Sequence, residues 1–467
     1  MPYMLTKERL SVMKTSIPFL ELPKTFQDAM IIARCLGFRY IWIDSLCIIQ
    51  NSRGDWEREA CRMCQVFKYS ACTIAATRST NSQGGCFSER NPHLVQPFKV
   101  CVNHFDGPKV YDCVDETFWE NDIQNGPLNS RAWVLQEMLL SPRILHFGEN
   151  QIYWHCQELQ ACEALPTGMP TATSMPLGMI DYRGIEKRFN SQSNLCKMGI
   201  WNTVVEMYSQ RSLTKTEDKL IALSGIASEM QSTLSDGRYL AGLWQTDLPF
   251  QLLWHAWDTM PPGPAISPAT PTKSYRAPSW SWASFDGRVR TCMLLGIEHD
   301  RTACPTFVDV LEAHTSNACT TGQVTDGYIR LRGKLGKVCL RWMPSSHALE
   351  MYAYTVIGLK KMDGQIFPDD IQGCLQNKWV GELYCLPVLY WDCYGDCYGT
   401  YDFPLSGLLL RRAGRLGDFV RFGYFSVSDD VDSLKPAYEY FHESSESQDL
   451  RLTGSLQQDG DYVITLI

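Results

Sequence analysis

The run Tyr40-Ile41-Trp42-Ile43-Asp44-Ser45-Leu46-Cys47-Ile48-Ile49-Gln50 restricts the fold more than any other stretch. It is almost continuously apolar and is broken by one carboxylate. That pattern predicts a buried parallel strand over Tyr40 to Asp44 that presents Asp44 at the rim of a sheet. Residues Asp55 to Tyr69 follow as an amphipathic helix, with Trp56, Ala60, Met63 and Phe67 on one face. Its early acids Asp55, Glu57 and Glu59 complement the helix N-terminus. Upstream, Phe26, Ala29, Ile32, Ala33 and Leu36 recur at helical spacing, with Pro23 in a first turn and Gly37 as the terminating residue. Downstream, Cys72 to Ala76 reads as a second strand. Strand, helix and strand make a βαβ unit, whose crossover is expected to be right-handed.

The remainder divides by composition. Thr77 to Pro127 is less regular, with loop signals at Gly84-Gly85 and Asn91-Pro92. Ser130 is placed to cap a short helix, Arg131 to Leu140, which Pro142 ends. Arg143 to Phe147 and Gln151 to Cys156 read as a hairpin about Gly148-Glu149-Asn150. Pro, Thr and Met enrichment marks Glu163 to Gly178 as a linker, and Pro261 to Pro271 as a second. Helical periodicity fills the interval between them. Ala277 to Ser284 alternates small and aromatic residues and predicts a strand with Trp280 and Trp282 on one face. Short alternating segments dominate from there to Ile467. The expected organisation is an α/β domain over 1–162, a linker over 163–180, a helical region over 181–260 and a β-rich region over 272–467.

Charge and cysteine usage narrow the function classes. A net charge of -8 argues against broad nucleic-acid or anionic-membrane binding, which needs a basic footprint. No apolar stretch approaches the ~20 residues of a membrane span. The 19 cysteines form no repeated framework. The single C-x-x-C pair, Cys61 and Cys64, has no second pair at zinc-ribbon spacing, so no metal site is expected. The expected compartment is the cytoplasm, with thiols reduced.

Three blocks carry a family resemblance: Leu22-Pro23-Lys24-Thr25-Phe26, the Trp42-to-Gln50 run, and Arg131-Ala132-Trp133-Val134-Leu135-Gln136-Glu137. In order and spacing they resemble the fungal heterokaryon-incompatibility (HET) domain. Asp218 to Ala227, Tyr239 to Trp244 and Ala277 to Ser284 resemble segments that often follow it. The resemblance implies a role in nonself recognition and programmed cell death, through self-association or a regulatory partner protein. That domain is remotely similar to TIR domains, which are flavodoxin-like. The implied fold is therefore a TIR-like parallel sheet, followed by a helical segment and a β-rich module. The family's opening block, a strand ending in Ser-x-x-Trp-Gly, has no counterpart before Leu22. The sheet is thus expected to lack its first strand, unless another segment fills the gap.

Some TIR domains cleave NAD at the nicotinamide–ribose bond with a glutamate in a Ser-x-Trp-Cys-x-x-Glu pattern. Ser130-Arg131-Ala132-Trp133-Val134-Leu135-Gln136-Glu137 is similar, with one extra residue between Ser and Trp. The resemblance implies Glu137 as catalytic carboxylate, Asp44, Arg131 and Trp133 as ligand-binding residues, and NAD as substrate. Elementary chemistry is compatible: residues four apart share a helix face, an aromatic ring stacks a base, and a carboxylate stabilises an oxocarbenium ion. The structural alternative, a degenerate noncatalytic relative, keeps Glu137 as a solvated or capping-level helix glutamate beside a packed Trp133. It keeps Asp44 as a turn cap or a partner of Arg131, Cys47 as a small hydrophobe, and Trp280 and Trp282 as core.

Overall fold

The computed structural model describes residues 3–115, 117–169, 194–234, 237–256, 270–271, 275–291, 306–317, 321–342, 354–357, 364–370, 381–390, 405–427, 455–456 and 461–467. The chain divides into two units. The first comprises Met1–Ser191, Arg211–Thr216 and Ile221–Glu229, and the second comprises Gln192–Gln210, Glu217–Leu220 and Met230–Ile467.

In the first unit, α1 (Leu10–Thr15) is followed by α2 (Lys24–Cys35), which buries Ala29, Ile32 and Ala33 and stops at Gly37 with φ +81°. Only a residue without a Cβ takes that conformation at low cost. Asp44 opens the single-turn helix α3 (Asp44–Cys47), and α4 (Arg53–Lys68) follows, burying Ala60, Met63 and Phe67. Strand β1 (Thr73–Ala75) lies at one edge of a four-stranded sheet ordered β1-β4-β5-β6, with β4 (Arg143–Phe147), β5 (Ile152–Cys156) and β6 (Gln160–Cys162). β1 and β4 are parallel, while β4–β5 and β5–β6 are antiparallel. Between β1 and β4, a separate ribbon pairs β2 (Phe98–His104) with β3 (Gly107–Cys113). Helix α5 (Ala132–Leu140) is buried along most of its length. The fold is thus mixed α/β with a parallel-containing sheet, as the sequence predicts.

One strand of that prediction fails. Ile43 is extended, but Tyr40 to Ile43 pairs with no strand among the described residues, and Asp44 starts a helix rather than ending a strand. No residue from Tyr40 to Ser45 is buried, and Tyr40 is 81% exposed. A strand needs a hydrogen-bonded neighbour, and apolar character alone does not supply one. The run is instead held by side chains. Trp42 stands edge-on to Phe67 at 5.8 Å, and Ile43 and Ile49 pack on a cluster of Leu5, Met13, Leu22 and Leu46. The N-terminal segment ties the same turn by main-chain bonds, Leu5 N–H to Ser45 O at 2.8 Å and Gln50 N–H to Leu5 O at 2.9 Å.

Two further expectations are corrected. Ser130 does not cap α5; it ends a 3-10 turn, and its hydroxyl donates to Pro127 O at 2.7 Å. Trp280 and Trp282 do not lie on a strand: Ala277 to Ser281 turns into a 3-10 helix, Trp282–Ser284, capped by Ser281 Oγ accepting from Ala283 N–H. Both indoles are fully buried, as their reading as core expects. The first predicted linker begins pinned, because Glu163 accepts from Ile152 N–H at 2.7 Å and pairs with Arg90. Residues 170–178 of it, and 261–269 of the second, lie outside the described residues.

The second unit begins with α6 (Asn194–Ser209), whereas α7 (Ser224–Gln231) belongs to the first unit as far as Glu229. A tight hairpin follows, β7 (Tyr239–Leu240) and β8 (Leu243–Trp244), whose turn places Ala241 at φ 50° and Gly242 at φ 100°. Gly242 O accepts from the Trp201 and Trp282 indoles at 2.9 and 3.0 Å. A Cβ on Gly242 would meet the Trp282 ring at 2.7 Å, so the close approach requires glycine. Two short pairs, β9 (His255–Ala256) with β12 (Val289–Arg290) and β10 (Thr270–Pro271) with β11 (Phe285–Asp286), lead into the β-rich part. Its large sheet runs β13 (Val308–Asn317), β14 (Val324–Gly333), β22 (Tyr462–Leu466), β20 (Asp418–Val427), β19 (Leu405–Arg412), β18 (Gly381–Tyr390), β15 (Gly336–Trp342), β16 (Tyr354–Ile357). β17 (Gly364–Pro368) pairs with β20, and β21 (Ser455–Leu456) with β22.

Candidate functional site

α5 is the element that builds the site. Its first N–H groups have no intrahelical acceptor, and a distant segment supplies one. Ala132 N–H donates to Ser212 O at 2.9 Å, and Ser212 N–H donates to Ser130 O at 2.7 Å. This parallel bridge brings residues 211–216 alongside the start of the helix. At the other end, Ser141 Oγ donates to Glu137 O at 2.6 Å and shares a 2.7 Å hydrogen bond with Thr73 Oγ1, fixing the helix to β1. On its buried side, Gln136 Oε1 accepts from Gly225 N–H at 2.8 Å, which docks the first turn of α7.

The four residues picked out in the sequence fall into this frame as follows. Arg131 is exposed and sits in extended conformation at the N-cap of α5. Trp133 and Glu137 are half-buried on the helix. Asp44 is exposed at the start of α3, where its carboxylate accepts from Ser45 N–H at 2.7 Å. Burial lifts the Glu137 carboxyl to about 7. Arg131 opposes that rise, the Asp44 carboxylate adds to it, and Arg211 again opposes it. The fields of Asp44, Arg131 and Arg211 therefore converge on Glu137. Two guanidiniums beside two carboxylates leave no net negative charge to hold a divalent cation. The set suits a polar ligand carrying both anionic and cationic parts.

Arg211 was not foreseen. It lies 74 positions after Glu137 in the chain, and no local pattern around it signals a site. Only the bridge between Arg131 and Ser212 brings it in. Lys215, from the same segment, stands 5.8 Å from the ring of Trp56 on α4. The Cys47 thiol is raised, first by burial and further by the Asp44 and Glu59 carboxylates. A raised thiol is a poor nucleophile at neutral pH, yet the residue is exposed, so Cys47 is not the buried small hydrophobe that the sequence suggests.

Behind α2, Asp28 is fully buried, pairs with Lys24 and accepts from Cys86 N–H at 2.9 Å. Gly85 N–H donates to Thr25 Oγ1 at 3.1 Å. The Lys24-Thr25 pair of the first sequence block thus anchors the loop at Gly85-Cys86 and has no part in the Glu137 cluster.

Residues 4–137 match the family model described as heterokaryon incompatibility protein (HET). No curated protein and no solved structure matches the chain. The matched span ends on Glu137 and contains Asp44, Arg131 and Trp133, while Arg211 lies beyond it.

Proposed function

We propose, from the match of residues 4–137 to the heterokaryon-incompatibility family model, that the chain acts in nonself recognition between fungal cells, promoting programmed cell death. The domain works in the cytoplasm as a TIR-like unit that signals by association with itself or with a regulatory protein. The supporting observation is the match itself, together with the burial of α5, whose first six residues close it. The test is expression of the full chain in a fungal host, followed by fusion with compatible and incompatible strains. Death confined to incompatible fusions is expected; unchanged viability in every pairing overturns the reading.

A second reading is chemical and rests on the Glu137 cluster. In it the site hydrolyses the nicotinamide–ribose bond of NAD. The C–N bond breaks, nicotinamide leaves as a neutral molecule, and water adds to C1′ with release of a proton. Glu137, as carboxylate, stabilises the oxocarbenium ion; Trp133 stacks the departing ring, and Arg131 and Arg211 face the pyrophosphate. With the carboxyl near 7, the active anion forms as pH rises through neutrality. NAD loss is therefore expected to rise between pH 6 and pH 8, to ~90% of its plateau at the upper end, and Glu137→Gln is expected to abolish it. Purified wild-type chain that leaves NAD intact, or a Glu137→Gln chain that still consumes it, eliminates this chemistry.

A further inference from the structure

The β2–β3 ribbon lies wholly within the first unit yet pairs with no other strand among the described residues. Nearly every residue in it is solvent-exposed, including Phe98, Val102 and Val110, and Phe105 at its tip is fully exposed. An isolated two-stranded hairpin is marginal in water, and an exposed edge is a template for another strand.

We propose that this ribbon is a self-association surface, and that its occupant is β2 of a second copy of this chain. Charge selects the occupant. The whole chain carries -8, a net charge that opposes the approach of two copies. The ribbon from Phe98 to Cys113 is neutral, with Lys99 and Lys109 balanced by Asp106 and Asp112. Within it Lys99 lies opposite Asp112, and Lys109 stands 3.7 Å from Asp106. Repulsion between copies is therefore least here.

Geometry fixes the register. Full antiparallel overlap of the strand Phe98–His104 with its copy places Cys101 on the two-fold axis. Val100 then faces Val102 of the other copy, and Lys99 faces Asn103, so no like charges are opposed. Val100 and Val102 share one face, so the pairing assembles four valines into one apolar patch. The surface is small, and the dimer it makes is weak and concentration-dependent. The inference rests on the self-association reading above and not on the chemistry at Glu137.

The test is sedimentation velocity of the full chain under reducing conditions, from nanomolar to high micromolar concentration. A reversible monomer–dimer equilibrium is expected. Val102→Asp, which faces Lys109 in the ribbon and so keeps it folded, is expected to weaken dimerisation at least ten-fold. A short bismaleimide is expected to trap a dimer that disappears in Cys101→Ser. A chain that stays monomeric throughout overturns the proposal. So does a dimer whose association and cross-linking survive both substitutions.

Discussion

At the scale of single residues, Glu137 titrates near 7 because burial opposes its charge more strongly than Arg131 and Arg211 favour it. The folded-state value lies above the ordinary 4.5, so the folded chain holds this proton more tightly than the unfolded chain. The stabilisation is fully present below about 4.5 and is lost as pH rises to about 7, an effect on the order of 3 kcal/mol. Glu137→Gln removes the titration. It should therefore stabilise the protein by roughly that amount at pH 8 and by little at pH 4. Urea unfolding at the two pH values measures this; an equal effect at both would show that the carboxyl is not held in a desolvating site.

At the scale of elements, α5 is fixed by contacts that a single methyl group tests. A Cβ on Gly225 would lie 2.5 Å from Cys64 Cβ and 2.6 Å from Gln136 Oε1, so Gly225→Ala forces α4, α5 and α7 apart. The expected loss is about 1–3 kcal/mol, as for other overpacked sites. Gly37 is the contrast. Nothing lies within 4 Å of a Cβ there, and only the φ of +81° resists substitution. Gly37→Ala should cost about 1 kcal/mol, through backbone strain alone. Thermal melts of the two variants separate crowding from strain, and a Gly225→Ala chain as stable as wild type would remove the docking argument for α7.

At the scale of the whole molecule, the second unit carries a buried tie of its own. In the second unit Arg421 is fully buried, pairs with Asp369 at 2.9 Å, and donates to Leu252 O and Trp254 O. Its guanidinium stacks 3.8 Å from the Trp254 ring. Burial lowers the Arg421 pKa while Asp369 holds it up. Arg421→Ala leaves the buried Asp369 without its cation and two carbonyls without a donor. It should destabilise the second unit by about 3–5 kcal/mol. Calorimetry should show one transition shifted down and that of the first unit unmoved; a uniform shift would show that the two units unfold together.

Periodicity and punctuation were enough to read α2, α4, α5, the β4–β5 hairpin and β14, β18, β19, β20 and β22 of the ten-stranded sheet. These signals are local: a 3.6-residue stripe, a glycine stop, a two-residue alternation. The same alternation runs through Phe98, Val100 and Val102 to the turn at Asp106-Gly107, and would have revealed the ribbon inside a stretch read as irregular. Tyr40 to Ile43 shows the opposite limit. Its composition is that of a buried strand, but pairing belongs to the neighbour, and here the N-terminal segment and Phe67 hold the run by side chains instead. The site divides in the same way. The sequence by itself determined Asp44, Arg131, Trp133 and Glu137 as the polar and aromatic residues of the matched blocks. Tertiary structure alone decided that Arg211 acts on Glu137 alongside Arg131 and Asp44, that Ser212 rather than Ser130 caps α5, and that burial lifts Glu137, because capping and desolvation depend on which distant groups the folded chain brings near.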